Sequence, residues 1–112
     1  MKKVFVKLNW KLPEDGGRKN PPTGSSYVAI PRFKGDDSWP QKAWSMRIDF
    51  TDENEHSDYI RYGFARFLVS QAPENLLKPG VEFDLLEGPH SVAHVEILLT
   101  EQTILFMLKQ MA

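Results

Sequence analysis

Between positions 3 and 12 the chain alternates. Val4, Val6, Leu8, Trp10 and Leu12 are apolar, Lys3, Lys7, Asn9 and Lys11 stand between them, and Phe5 is the one apolar residue out of step. A β-strand sends successive side chains to opposite faces, so this spacing predicts a half-buried strand with its lysines in water. The same period of two returns at Trp44, Met46, Ile48 and Phe50, at Val81, Phe83 and Leu85, and at Ala93, Val95, Ile97 and Leu99. Residues 27–33 are rich in β-formers but contain Pro31, which has no ladder donor and is expected at an edge or a bulge. Residues 59–69 are apolar and aromatic around Gly63, and predict a strand buried on both faces for much of its length and bent or crowded at the glycine. Six short strands broken by Gly/Pro turns describe an all-β barrel or sandwich whose core includes Trp10, Trp44, Phe64 and Phe83.

The connections are as informative as the strands. Residues 13–24 hold three prolines and three glycines, which predicts a long loop without regular structure. Long loops on compact domains are frequent places for function. Residues 34–41 are turn-rich, and 51–58 form an acidic, polar connection. Pro73 can open a single helical turn over 73–77, and Glu87-Gly88-Pro89-His90 is a tight turn. The tail, 100–112, places Ile104, Leu105, Leu108 and Met111 at helical spacing after Thr100 and Glu101, although 104–108 also suits a strand. Such a tail either packs over an open end of the barrel or presents an apolar patch to a partner or a second copy.

At 112 residues the expectation is one domain over 1–112, with the barrel at about 3–99 and the tail at 100–112. The chain has no cysteine, which excludes disulfides, thiol nucleophiles and thiolate metal sites. No apolar run approaches the ~20 residues of a membrane span. Met1-Lys2-Lys3 leads directly into the first strand rather than into a secretory leader, so the expected setting is the cytoplasm, with no membrane partner. Net charge is −1, without the basic excess of a general nucleic-acid binder.

Catalytic motifs are missing: there is no phosphate-binding Gly-x4-Gly-Lys-Ser/Thr loop, no Gly-x-Ser-x-Gly elbow and no His-Glu-x-x-His. His90 and His94 are four apart, but on a strand that separation is about 13 Å, too far for one ion. His56 lies among Glu53, Glu55 and Asp58, a grouping typical of a solvated acidic loop. The expectation is therefore no metal, no cofactor and no enzyme. Aromatic residues beside cations can stack nucleic-acid bases. Trp39, between Ser38 and Pro40 in a loop, is the least expected as core and the one singled out for recognition.

Two segments resemble a known family. Asp15-Gly16-Gly17-Arg18-Lys19 follows the first strand, and Glu87-Gly88-Pro89-His90-Ser91-Val92-Ala93 precedes the last. The C-terminal barrel of elongation factor Tu is similar, with an acidic-Gly-Gly-Arg-basic loop early and a Glu-Gly-Gly-Arg-Thr-Val-Gly turn late. Residues 61–70 and 72–86 resemble its intervening pieces, so the likeness covers roughly 3–99. It implies a six-stranded antiparallel barrel without catalytic residues, whose early loop faces the backbone of aminoacyl-tRNA and which packs against a GTPase domain. It places Gly17, Arg18 and Lys19 on that loop and Gly88, Pro89 and His90 on the late turn. The chain departs from the pattern where it has Pro89 for a glycine and His90 for an arginine. Pro89 removes a backbone donor for phosphate, and an imidazole replaces a permanent cation.

The expected function is a non-catalytic binding module for a protein partner, acting through the loop at 16–22, the turn at 87–90 and Trp39. The runner-up is an RNA-backbone binder using Arg18, Lys19, Arg32 and Lys34. A third class is a small-molecule enzyme built at the barrel mouth.

Overall fold

The computed structural model describes residues 2–17, 24–34, 43–51 and 59–111. In β1 (Val4–Trp10) the even-numbered residues are buried, and Phe5, Lys7 and Asn9 face outward. β2 (Ser26–Phe33), β3 (Met46–Phe50), β4 (Ile60–Phe67), β5 (Glu82–Glu87) and β6 (His90–Thr100) follow, and all neighbours pair antiparallel in a closed barrel of order β1-β4-β3-β2-β5-β6. β1 closes the ring, pairing with β4 on one side and β6 on the other.

The interior is filled by side chains from every strand, among them Val6, Leu8, Met46, Ile48, Phe67, Leu85 and Ile97. Phe33 packs against Phe67 and Phe83, with ring centroids 6.1 and 4.7 Å away. Trp10 and Phe83 are core as expected, and Trp44 packs against the core partly buried.

Three strand expectations need correction. β4 is not buried on both faces: Arg61, Gly63, Ala65 and Phe67 point inward, while Ile60, Tyr62, Phe64 and Arg66 point outward. Phe64 is therefore not core. It lies 5.3 Å from Phe5, which also stacks on Tyr62 at 6.1 Å, so Phe5 falls out of step in β1 because it joins an aromatic group on the outer wall. Leu12 is 37% exposed and outside β1, because the chain turns at Pro13–Asp15 into a short 3₁₀ turn within the segment expected to lack regular structure. Pro31 stands where β2 has left β3, paired through 26–29, and pairs with β5 alone, a local edge in a closed sheet.

The two crossing connections, β1 to β2 and β4 to β5, leave the barrel from opposite ends. At one end the segment between β4 and β5, with a 3₁₀ turn at Glu74–Leu76, sinks Ala72 and Leu77 into the core, Leu77 completely. Gly80 N–H donates to Ile97 O at 2.8 Å and Ile97 N–H to Val81 O at 2.9 Å, tying this plug to β6. The tail is a helix, α1 (Glu101–Met111), started by Thr100, whose Oγ1 accepts from Thr103 N–H at 3.1 Å. None of its residues is buried. It does not cover the barrel end, because Leu77 and Ala72 already fill that mouth.

A Cβ at Gly63 would stand 2.5 Å from Asp49 O and 3.0 Å from Phe50 Cα, both backbone atoms of the paired strand β3. Gly63→Ala is therefore expected to lower the unfolding free energy by about 1–3 kcal/mol through overpacking. Leu77→Ala should lower it by about 2–5 kcal/mol through a cavity under the plug. Urea denaturation measures both, and near-wild-type midpoints would refute the tight register and the plug respectively.

Candidate functional site

An antiparallel barrel sends its connections alternately to two ends. Trp10 pairs with Ala93, Asn9 with Ile60 and Glu87 with His90. The connections after β1, after β3 and after β5 therefore leave from one end, here called the loop end. The connections after β2 and β4, together with α1, leave from the other, the helix end.

At the loop end Trp10, 4% exposed, forms the floor. Tyr27 meets it edge-on at 5.0 Å and 85°, and donates its hydroxyl to Glu87. Lys11 N–H donates to Val92 O at 2.9 Å, and Trp10 N–H to Tyr59 O at 2.7 Å, so β1, β4 and β6 are stitched together at the rim. The early loop starts from this stitching. Leu12 O accepts from Asp15 N–H and Gly17 N–H at 2.9 and 3.0 Å. Gly17 runs so close to the returning chain that a Cβ there would lie 2.0 Å from Lys11 O. On the other side of the rim Gly88 adopts φ +58°, the left-handed region that a two-residue hairpin turn with glycine first requires. Pro89 suits the following position with its fixed negative φ. Two buried polar atoms at this end, Trp10 Nε1 and Ser91 Oγ, have no hydrogen-bond partner among the described residues.

Below the floor lies Arg61, 2% exposed inside the barrel. Its guanidinium stands 3.8 Å from the centre of the Phe50 ring and donates to Gly24 O at 3.1 Å, two contacts that stabilise the buried cation. Sequence reasoning took Arg61 to be part of an apolar strand and missed it. The signal was there: on its face the next inward residues are Gly63 and Ala65, small enough to leave room for a long side chain.

A third cluster sits on the outer wall. His94 of β6 stands between two carboxylates of β5, with Nε2 2.8 Å from Glu82 Oε1 and Nδ1 3.0 Å from Asp84 Oδ1. Arg32 of β2 donates to Asp84 Oδ2 at 3.2 Å. The hydrogen bonds to Glu82 and then to Asp84 hold the His94 pKa above its ordinary value, against a smaller opposing effect of burial. Burial pushes the Asp84 carboxyl up, but the hydrogen bonds from His94 and Arg32, with Lys11 nearby, outweigh it and leave its pKa lowered.

The structure thus brings Gly17, Gly88 and His90 to one end of the barrel. Arg18, Lys19, Trp39 and His56 lie outside the described residues. Lys34, next to the end of β2, and Ala43, ahead of β3, stand at the helix end. Arg32 is engaged with Asp84 on the wall. Among the described residues no group of three or more His, Asp or Glu side chains is arranged to hold a metal ion. An open hollow of about 450 Å³ at the helix end is lined by Lys2, Lys3, Glu74, Thr100, Glu101 and Gln102, with Lys2 N–H donating to Glu74 Oε2 at 3.1 Å. No helix among the described residues is long and apolar enough to cross a membrane.

Fold and site together define a closed six-stranded antiparallel barrel with a displayed loop end. No protein-family model matches the chain, and no curated protein matches it.

The His94 cluster has a pH signature. A histidine whose folded pKa is raised contributes stability that is complete below its unfolded value, about 6.5, and is lost as pH rises through the folded value. Asp84 acts oppositely and stabilises above its unfolded value, losing that contribution in acid. The melting temperature of the wild type should fall as pH rises from about 6.5 through the raised value, and His94→Gln should flatten that fall. An unchanged slope in the variant would sink this assignment.

Proposed function

We propose that the chain is a non-catalytic binding module on a barrel of the elongation-factor-Tu C-terminal type, and that it engages a protein partner at its loop end. The observation that carries this is the gathering of Gly17, Gly88 and His90 at one end of the barrel, where Trp10 Nε1 and Ser91 Oγ are buried without a hydrogen-bond partner among the described residues. The barrel interior is filled by its own side chains, so a partner has to be met on the outside. Both glycine positions are fixed, one by the close approach to Lys11 and one by its φ, so the described base of this end has little backbone entropy to lose on binding.

Charge favours protein over the RNA backbone. The connections leaving this end, 11–25, 51–59 and 87–90, contain seven carboxylates against three Lys or Arg residues. A phosphate backbone prefers the reverse balance. Arg32, one of the four cations assigned to the RNA reading, lies on the outer wall against Asp84. The likeness to the elongation factor supports the barrel type, and the departures at Pro89 and His90 fit a surface no longer used for phosphates.

Immobilised protein, incubated with native cytoplasmic extract, is expected to retain a protein that survives nuclease treatment. Charge reversal at the exposed pair Glu14→Lys and Asp15→Lys should release it while the melting temperature stays within a few degrees. Retention that disappears with nuclease, or RNA held by the wild type in low salt, would replace this reading with the RNA one.

A further inference from the structure

His94 faces a carboxylate at each ring nitrogen. Nε2 lies 2.8 Å from Glu82 Oε1, and Nδ1 lies 3.0 Å from Asp84 Oδ1. An ionised carboxylate only accepts, and an imidazolium donates from both nitrogens, so the protonated ring satisfies both contacts. A neutral imidazole carries one N–H. Its other nitrogen is then a lone pair held at hydrogen-bond distance from an anion, and one of the two carboxylates has to leave.

The surroundings decide which one. Asp84 is held a second time, by Arg32 of β2 through Oδ2 at 3.2 Å, and the charge of Lys11, just after β1, also favours its ionised form. Glu82 has no second hydrogen bond or ion pair among the described residues. Its cross-strand neighbour on β6 is Glu96, a like charge that opposes it. From β1, Lys7 stands opposite Glu96 and Asn9 opposite His94.

We propose that His94 is a proton-operated clasp: on losing its proton it keeps Nδ1–H on Asp84 and releases Glu82. Closed, the group formed by Glu82, His94, Asp84 and Arg32 has no net formal charge. Open, it carries one negative charge, with Glu82 set loose beside Glu96. The outer wall along β5 and β6 thus becomes more acidic as pH rises. The hydrogen bonds to Glu82 and Asp84 hold the His94 pKa above the ordinary value of 6.5, so the clasp is mostly closed at that pH and opens above it.

The change stays in the side chains. Ile97 N–H donates to Val81 O at 2.9 Å and Gly80 N–H to Ile97 O at 2.8 Å, so the backbone ahead of Glu82 is pinned to β6 whichever way the carboxylate points. The His94 and Glu82 side chains are 44 and 58% exposed, so water solvates the released carboxylate and no charge is stranded inside. The clasp lies on the barrel wall and not at the loop end, so either reading can fail while the other stands.

The full chain, labelled with nitrogen-15 in its histidines, reports each ring nitrogen by NMR as pH is raised from about 5 to about 9. His94→Gln assigns the signal. Above the transition the wild-type ring is expected with its proton on Nδ1 and Nε2 bare, and the Glu82 carboxyl signal should move at the same midpoint. Glu82→Gln supplies an amide N–H that can donate to the bare Nε2. Its midpoint should fall toward about 6.5 with the proton still on Nδ1, and its melting temperature should stay within a few degrees of wild type. A neutral wild-type ring protonated on Nε2 overturns the proposal, and so does a midpoint that Glu82→Gln leaves unchanged.

Discussion

The antiparallel pairing of β1 with both β4 and β6 is the constraint on which the structure depends. Without it the sheet would have two open edges, each a row of unpaired N–H and C=O groups ready to join another chain. With it every strand has two neighbours, and the alternation in β1 becomes a statement about inside and outside rather than about two faces of a layer. Register follows from this. A slip of one residue in β1 would turn Lys7 and Asn9 inward and Leu8 out, so the buried set Val4, Val6, Leu8 and Trp10 pins the pairing on both sides at once.

A ring of six strands still has two mouths, and the chain treats them differently. The helix-end mouth is stopped by a connection whose Leu77 is fully buried. The loop-end mouth is lined by larger and more polar groups: Trp10 and Tyr27 at the rim, and Arg61 held against Phe50 beneath. Hydrophobic closure at one end gives rigidity, while the polar lining at the other leaves hydrogen-bonding groups near the surface. That asymmetry, more than the barrel itself, distinguishes the two ends.

The strands were legible because period two survives in β1, β3, β5 and β6, where one face is wet. In β4 it was hidden. Tyr62 and Phe64 point outward yet are aromatic, so the apolar run looked two-sided, and only the small inward residues Gly63 and Ala65 showed that Arg61 had space inside. Spacing left helix and strand both open in the tail, and the exposure of α1 was not legible at all, because whether an apolar helix covers a mouth depends on what else reaches that mouth first. That Gly17 shares an end of the barrel with Gly88 and His90 was not legible in the local pattern. Local pattern does not say that β1 lies between β4 and β6, and that topology puts the two turns on one rim. The His94 cluster illustrates the same limit, since its partners come from another strand, ten and twelve residues away.

Closure by β1 and β6 also sets an order of events in time. Val4 finds its partner Thr100 only after nearly the whole described chain exists. At translation speeds of roughly 5–20 residues per second, β1 has one side unpaired for several seconds or more after it is made. Its other neighbour, β4, arrives earlier but is itself separated from β1 by more than fifty residues. Folding dominated by such distant pairings is slow. The lysines at 3, 7 and 11 in and beside β1 then have a second use: during synthesis they keep a strand edge that cannot yet close from pairing with a neighbouring nascent chain.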